Sequence, residues 1–180
     1  MNMQNDNNNK TKENETNKKL NSEFIEEIAR YVKSYEIENQ NNLIALGDEM
    51  DVEGNLLSEL NQRVKIFGME HPYSMQTFNI LGRLYSDRND IRGMANLLRR
   101  SLLSRIEKLG INHPDTLFTM NKLGRKLALC NEYEQAEQMF RKSLEGFNSL
   151  VGSDHSVTKR CQNDLKQLKS ILNFRSTLDA

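Results

Sequence analysis

The feature that most constrains this chain is a period of 42 residues. His71-Pro72 returns as His113-Pro114, and the same step from His113 reaches His155. Gly68, Gly110 and Gly152 form a parallel column, each shortly before its histidine. Leu81-Gly82 recurs as Leu123-Gly124, Asn79 as Asn121 and Asn163, and Ser101-Leu102 as Ser143-Leu144. So many columns in one register exclude coincidence. They require an architecture in which one supersecondary unit stacks on the next.

The unit is helical. Leu117, Met120, Leu123 and Leu127 fall at spacings of three and four, which is one face of a helix. Asn131-Glu132 interrupts that pattern, and a second helix follows from Tyr133 with Ala136, Phe140, Leu144 and Phe147 on its apolar face. Gly152 suits the left-handed backbone after a helix. Pro72 and Pro114 suit a first helical turn, where the N–H that proline lacks would be unpaired anyway. Each unit is thus a helix, a tight turn, a helix and a longer loop. Such a pair cannot bury its apolar stripe alone, so the sequence predicts an all-α solenoid of stacked pairs.

The residues also resemble a known family. LGINHPDTLFTMNKLG (109–124) and NEYEQAEQMFRKSL (131–144) together are similar to the tetratricopeptide repeat of kinesin light chains. Leu123, Gly124, Ala136 and Phe140 take the signature positions. The unit from Met69 to Gly110 matches through Leu81, Gly82 and Tyr85 but has Met94 where a small alanine is expected. The preceding unit matches weakly, through Asp48, Leu56, Leu60 and Gly68. The resemblance covers roughly residues 30–173, and its degenerate ends fit capping repeats. It implies an α-solenoid of about three helix pairs plus a C-terminal capping helix. The heptad coiled coil of true kinesin light chains is missing: Phe24, Ile25, Ile28, Val32 and Tyr35 supply only about three turns of one amphipathic helix.

These observations divide the chain into an Asn-rich tail (1–22), a degenerate repeat (23–68), two tetratricopeptide repeats (69–110 and 111–152) and a capping helix (153–175). The tail holds eight asparagines and only Met1, Met3 and Leu20 as apolar residues. It cannot bury enough surface to offset the entropy of ordering, so disorder is expected. The capping helix should cover the last repeat with Val157, Cys161, Leu165, Leu168 and Leu172, while Lys159, Lys166 and Lys169 keep its outer side wet.

Charge and motifs narrow the function. Lys plus Arg equals Asp plus Glu at 25 each, and a nucleic-acid partner would ordinarily require a basic surplus. No apolar run is long enough for a membrane span, and the N-terminus has no apolar signal segment. Cys130 and Cys161 are isolated and read as buried thiols. The expected location is cytoplasmic. There is no Gly-rich phosphate loop, Gly-x-Ser-x-Gly, His-Glu-x-x-His or Cys-x-x-Cys, so neither enzyme chemistry nor a cofactor is expected. One repeat separates the three histidines by about 10 Å per helix contact, too far for a shared metal. Loop capping is the expected role.

The asparagine column is the candidate site. Asn79, Asn121 and Asn163 lie within first helices, and Arg83 and Arg125 share their faces four residues on. The resemblance implies that first helices line a concave groove and that this column clamps an extended peptide. A carboxamide donates and accepts at once, which suits a peptide backbone, and guanidinium suits carboxylates. The other reading has each Asn bonding the neighbouring repeat's backbone and each Arg facing solvent. Gln167 replaces the arginine in the third layer. Tyr73 and Phe118 either contact the groove or simply pack, and the Arg99-Arg100 run reads as a solvated face. The expected function is a protein–protein adaptor holding an acidic peptide. The alternative is a structural module that self-associates through its terminal repeats with an empty groove.

Overall fold

The computed structural model describes residues 21–34 and 52–178, with side chains as far as Arg175, and the isolated positions 15, 18, 19 and 37. Most of the expected disordered tail, and Asp48, lie outside the described residues. The chain divides into two units, Met1–Ala45 and Leu46–Ala180. In the first, residues 21–34 form helix α1, which carries Phe24, Ile25, Ile28 and Val32. The second holds α2 (Val52–Phe67), α3 (Pro72–Asp87), α4 (Ile91–Leu109), α5 (Pro114–Leu129), α6 (Tyr133–Val151) and α7 (Ser156–Leu178). No strand occurs among the described residues.

The repeated punctuation sets the helix ends. His71, His113 and His155 each cap a first helix. Their Nδ1 atoms accept the backbone N–H of Tyr73, Asp115 and Val157 at 3.3, 3.2 and 3.3 Å. That satisfies one of the donors a helix start leaves unpaired. The prolines follow at the first turn. The second helices end on Gly110 and Gly152, at φ 89°, ψ 161° and φ 84°, ψ 168°. This is the extended, positive-φ region open almost only to glycine, not the left-handed helical well the sequence suggested. The tight turns use Asn89 (φ 53°) and Asn131 (φ 62°), again one period apart. Asparagine tolerates that conformation better than most residues.

Within a pair the two helices come close because small residues face large ones. A Cβ on Gly124 would sit 2.7 Å from the Phe140 ring, and one on Gly146 would sit 2.5 Å from Leu117 Cδ2. At the first pair Met94 replaces Ala136, and its tip lies 3.8 Å from where a Gly82 Cβ would be. Between pairs, each first helix packs back on the preceding second helix. Leu81, Leu123 and Leu165 are buried in that seam, as are Thr77, Thr119 and Cys161. Burying each such leucine contributes about 1.5–3 kcal/mol.

An arginine latch spans the first two seams. Arg63 of α2 donates to Thr77 Oγ1 (2.9 Å) and the Tyr73 carbonyl (2.8 Å) on α3. One repeat on, Arg105 of α4 donates to Thr119 Oγ1 and the Asp115 carbonyl on α5. In the third seam Phe147 and Cys161 stand at these positions. Both are buried, and the polar latch gives way to apolar packing. A second polar link joins α4 to the next pair. Arg99, 4% exposed, donates to Asn96 Oδ1 (2.8 Å), Glu132 Oε2 (2.6 Å) and Gln135 Oε1 (2.9 Å). The expectation that Arg99-Arg100 faces solvent is therefore wrong for Arg99. Three acceptors offset its desolvation.

The far side of α7 differs in kind from its predecessors. Leu117, Met120, Gly124 and Leu127 of α5 are buried, and one repeat later Lys159, Gln162, Lys166 and Lys169 stand there, all exposed. α7 buries Cys161, Leu165 and Leu168 on one face only. The shallow groove it forms with α6 is lined by Leu144, Gln162, Leu165, Lys166, Lys169, Ser170 and Asn173. Its outer face is built for water.

Candidate functional site

The first helices α3, α5 and α7 carry the asparagine column, and the structure splits it into three situations. Asn79 and Arg83 on α3 are exposed. Neither makes a hydrogen bond or ion pair with another side chain among the described residues. Asn121 on α5 is buried at 4% exposure. Its Nδ2 donates to Asp164 Oδ2 of α7 at 3.0 Å. Arg125 donates to the same oxygen through Nε (3.1 Å) and Nη2 (2.8 Å). Asn163 on α7 is exposed, with Gln167 exposed four residues on.

The helical register explains why these side chains meet. Asn121 and Arg125 are four apart and share a face, and α7 packs beside α5 as the next first helix. Asp164 is largely buried, with only 10% of its side chain accessible. Three N–H donors on one carboxylate oxygen offset that burial. The reading in which asparagine bonds the neighbouring repeat thus describes Asn121, here through a side chain. Nothing in the spacing singled out Asp164. Its column reads Ile80, Lys122, Asp164, and an unrepeated position carries no periodic signal.

The two aromatic candidates separate in the same way. Phe118 packs edge-on against Phe147, with ring centroids 4.8 Å apart and the Arg160 guanidinium 5.7 Å from its own. It belongs to a packed layer. Tyr73 is 56% exposed and joins Phe67 and His71 in a surface aromatic cluster, with centroids 5.9 and 5.1 Å away.

Among the described residues no group of three or more His, Cys, Asp or Glu side chains comes together in a metal-holding arrangement, and no helix is long and apolar enough to cross a membrane. Cys161 is buried and Cys130 only partly so, which corrects the reading of two buried thiols. Burial pushes both thiols above their ordinary value; Glu132 adds to the shift at Cys130, and the Ser143 hydroxyl opposes it at Cys161.

Comparison with known proteins agrees with this architecture. Residues 74–115 and 116–156 each match the tetratricopeptide repeat model. A crystal structure of nearly identical TPR-like repeats, from a Podosopora anserina protein assigned as a kinesin light chain, superposes with a TM-score of 0.51 at 17% identity. A variant of the same repeats gives 0.52, also at 17% identity. Each alignment covers 80% of this chain, which spans only 62–63% of those chains. No curated protein matches the chain. Tetratricopeptide repeats generally mediate protein–protein interaction, and the fold is typically a non-enzymatic scaffold. The period, the glycine-spaced helix pairs and these matches agree on one architecture: the chain folds as an all-α repeat solenoid, and its residues 74–156 match the tetratricopeptide repeat.

Proposed function

We propose that this chain is an adaptor whose first-helix groove holds an extended, acidic peptide of a partner protein. One observation carries the reading. The Asn121–Arg125 pair grips a carboxylate, that of Asp164, with three charge-assisted donors. The same pair of residue types, Asn79 and Arg83, stands one repeat earlier, exposed and without a side-chain partner among the described residues. A receptor for carboxylates is thus displayed where a ligand reaches it. Asn163 extends the column at the far end with its carboxamide alone.

The lysines on the outer face of α7 favour this reading over self-association through the C-terminal repeat, because a second copy would have to desolvate Lys166 and Lys169, and Lys159 with its Asp154 partner. Free thiols at Cys130 and Cys161 fit a reducing, cytoplasmic setting. The test is selection from a displayed library of random linear peptides, followed by titration of the enriched sequences. Acidic sequences should dominate, and Arg83→Glu should weaken them by about tenfold or more, the worth of one charge-assisted contact. A library with no acidic bias, or affinity unchanged in Arg83→Glu, would sink the proposal.

A further inference from the structure

The groove position that breaks the repeat decides how much of the groove a ligand reads. At the column Ile80, Lys122, Asp164 the chain changes from apolar to cation to acid. Asp164 lies against the Asn121–Arg125 pair, and its Oδ2 takes all three of their N–H contacts. In the preceding layer Lys122 holds the same register position on α5, exposed, and has no acceptor to offer. Asn79 and Arg83 therefore have a cation at the repeat position where Asn121 and Arg125 have an anion. Two unpaired cations in one layer attract an acidic side chain, whereas the next layer is already neutralised.

Building on the adaptor reading, we infer that Asp164 is a built-in occupant of the second clamp. It stands in for the carboxylate of a ligand and confines acidic recognition to a single layer, Asn79–Arg83–Lys122. The partner segment that fits is one with a short acidic patch, not a run of acids spaced along both layers. Arg125 keeps 48% of its side chain accessible, so the second clamp is filled, not walled off. Removing the Asp164 charge opens it without rebuilding the fold.

A labelled hexaglutamate peptide, titrated by fluorescence anisotropy against the full chain, tests this. In the wild type Arg83→Gln should weaken binding about tenfold, while Arg125→Gln should change it less than about twofold. Asp164→Asn, close to isosteric, should tighten binding roughly fivefold by freeing Arg125, and adding Arg125→Gln should erase that gain. Lys122→Asp provides an independent arm, since Lys122 is exposed and no core is disturbed. It copies the second-layer arrangement into the first and should abolish binding, whereas Lys122→Gln should cost only about threefold. If the wild type binds but Arg125→Gln costs as much as Arg83→Gln, or Asp164→Asn leaves affinity unchanged, the occupant role is wrong and the adaptor reading survives. If no variant binds, Asp164→Asn included, both fall.

Discussion

Arg99 offers the sharpest test of how the repeats are joined. Its guanidinium is buried at 4% exposure and bridges α4 to Glu132 and Gln135 at the start of α6. Arg99→Met keeps most of the apolar stem but removes every donor. Breaking a buried pair from one side costs about 3–5 kcal/mol. Glu132 keeps 28% of its side-chain surface and so recovers part of its hydration, which lowers the expected loss to about 2–3 kcal/mol. For a unit of this size that corresponds to a fall of roughly 6–15 °C in Tm. Urea unfolding followed by circular dichroism would read it as a lower midpoint at constant slope. The molecule supplies its own control. Arg141 is the same position one repeat on, exposed and, among the described residues, paired only within its helix with Glu137, so Arg141→Met should cost less than about 0.5 kcal/mol. Adding Glu132→Gln to Arg99→Met should restore part of the loss, because the stranded carboxylate is then gone. An Arg99→Met protein within about 0.5 kcal/mol of wild type would refute the buried-bridge account.

Gly146→Leu should be severely destabilising, by about 3 kcal/mol or more in urea unfolding, since even its Cβ would lie 2.5 Å from Leu117; a small change would mean that α5 and α6 are less tightly packed than described. Thr116 is buried with no hydrogen-bond partner for its hydroxyl among the described residues, so Thr116→Val should be neutral or raise Tm, and a clear loss would show that the hydroxyl is paired. Cys161 holds its proton more tightly in the folded chain than its ordinary value of 9.0. Its contribution is therefore full below pH 9 and falls as pH rises through the folded value, because the unfolded thiol ionises first. The alkaline decline in stability should be shallower in Cys161→Ala than in wild type, and parallel curves would refute the assignment. Lys142 acts in the opposite sense, since burial lowers its pKa, but it is common to both proteins and cancels in the comparison.

What the sequence disclosed, and what it did not, follow from one physical distinction. Much of what repeats was legible: the helix pairs, the histidine caps and the glycine stops reflect a local requirement met in each unit, whereas the Arg63 and Arg105 latch, though it recurs, was not read. The Arg99 and Asp164 links were not, because each occurs once. Arg99 looks like half of a solvated pair beside Arg100, and its exposed counterpart Arg141 misleads further. The acceptors that make burial tolerable include Glu132 and Gln135, 33 and 36 residues away at the next turn. Asp164 is hidden for the same reason, since its column carries three different chemistries. Of the candidate site, the column was visible in advance; which of its members are already satisfied within the chain was not.

The lysine-bearing face of α7 has a kinetic consequence. In a nearest-neighbour stack an interior helix pair is held from two sides, but α7 is held from one. A helix that buries one face is the least costly piece to lift. Local opening should begin there, with amide protons of α7 exchanging well before those of α5. Because Asp164 travels with α7, every such opening also bares Arg125 and Asn121. The fraying of this last helix and the momentary availability of a second anion clamp are then one event, governed by one equilibrium.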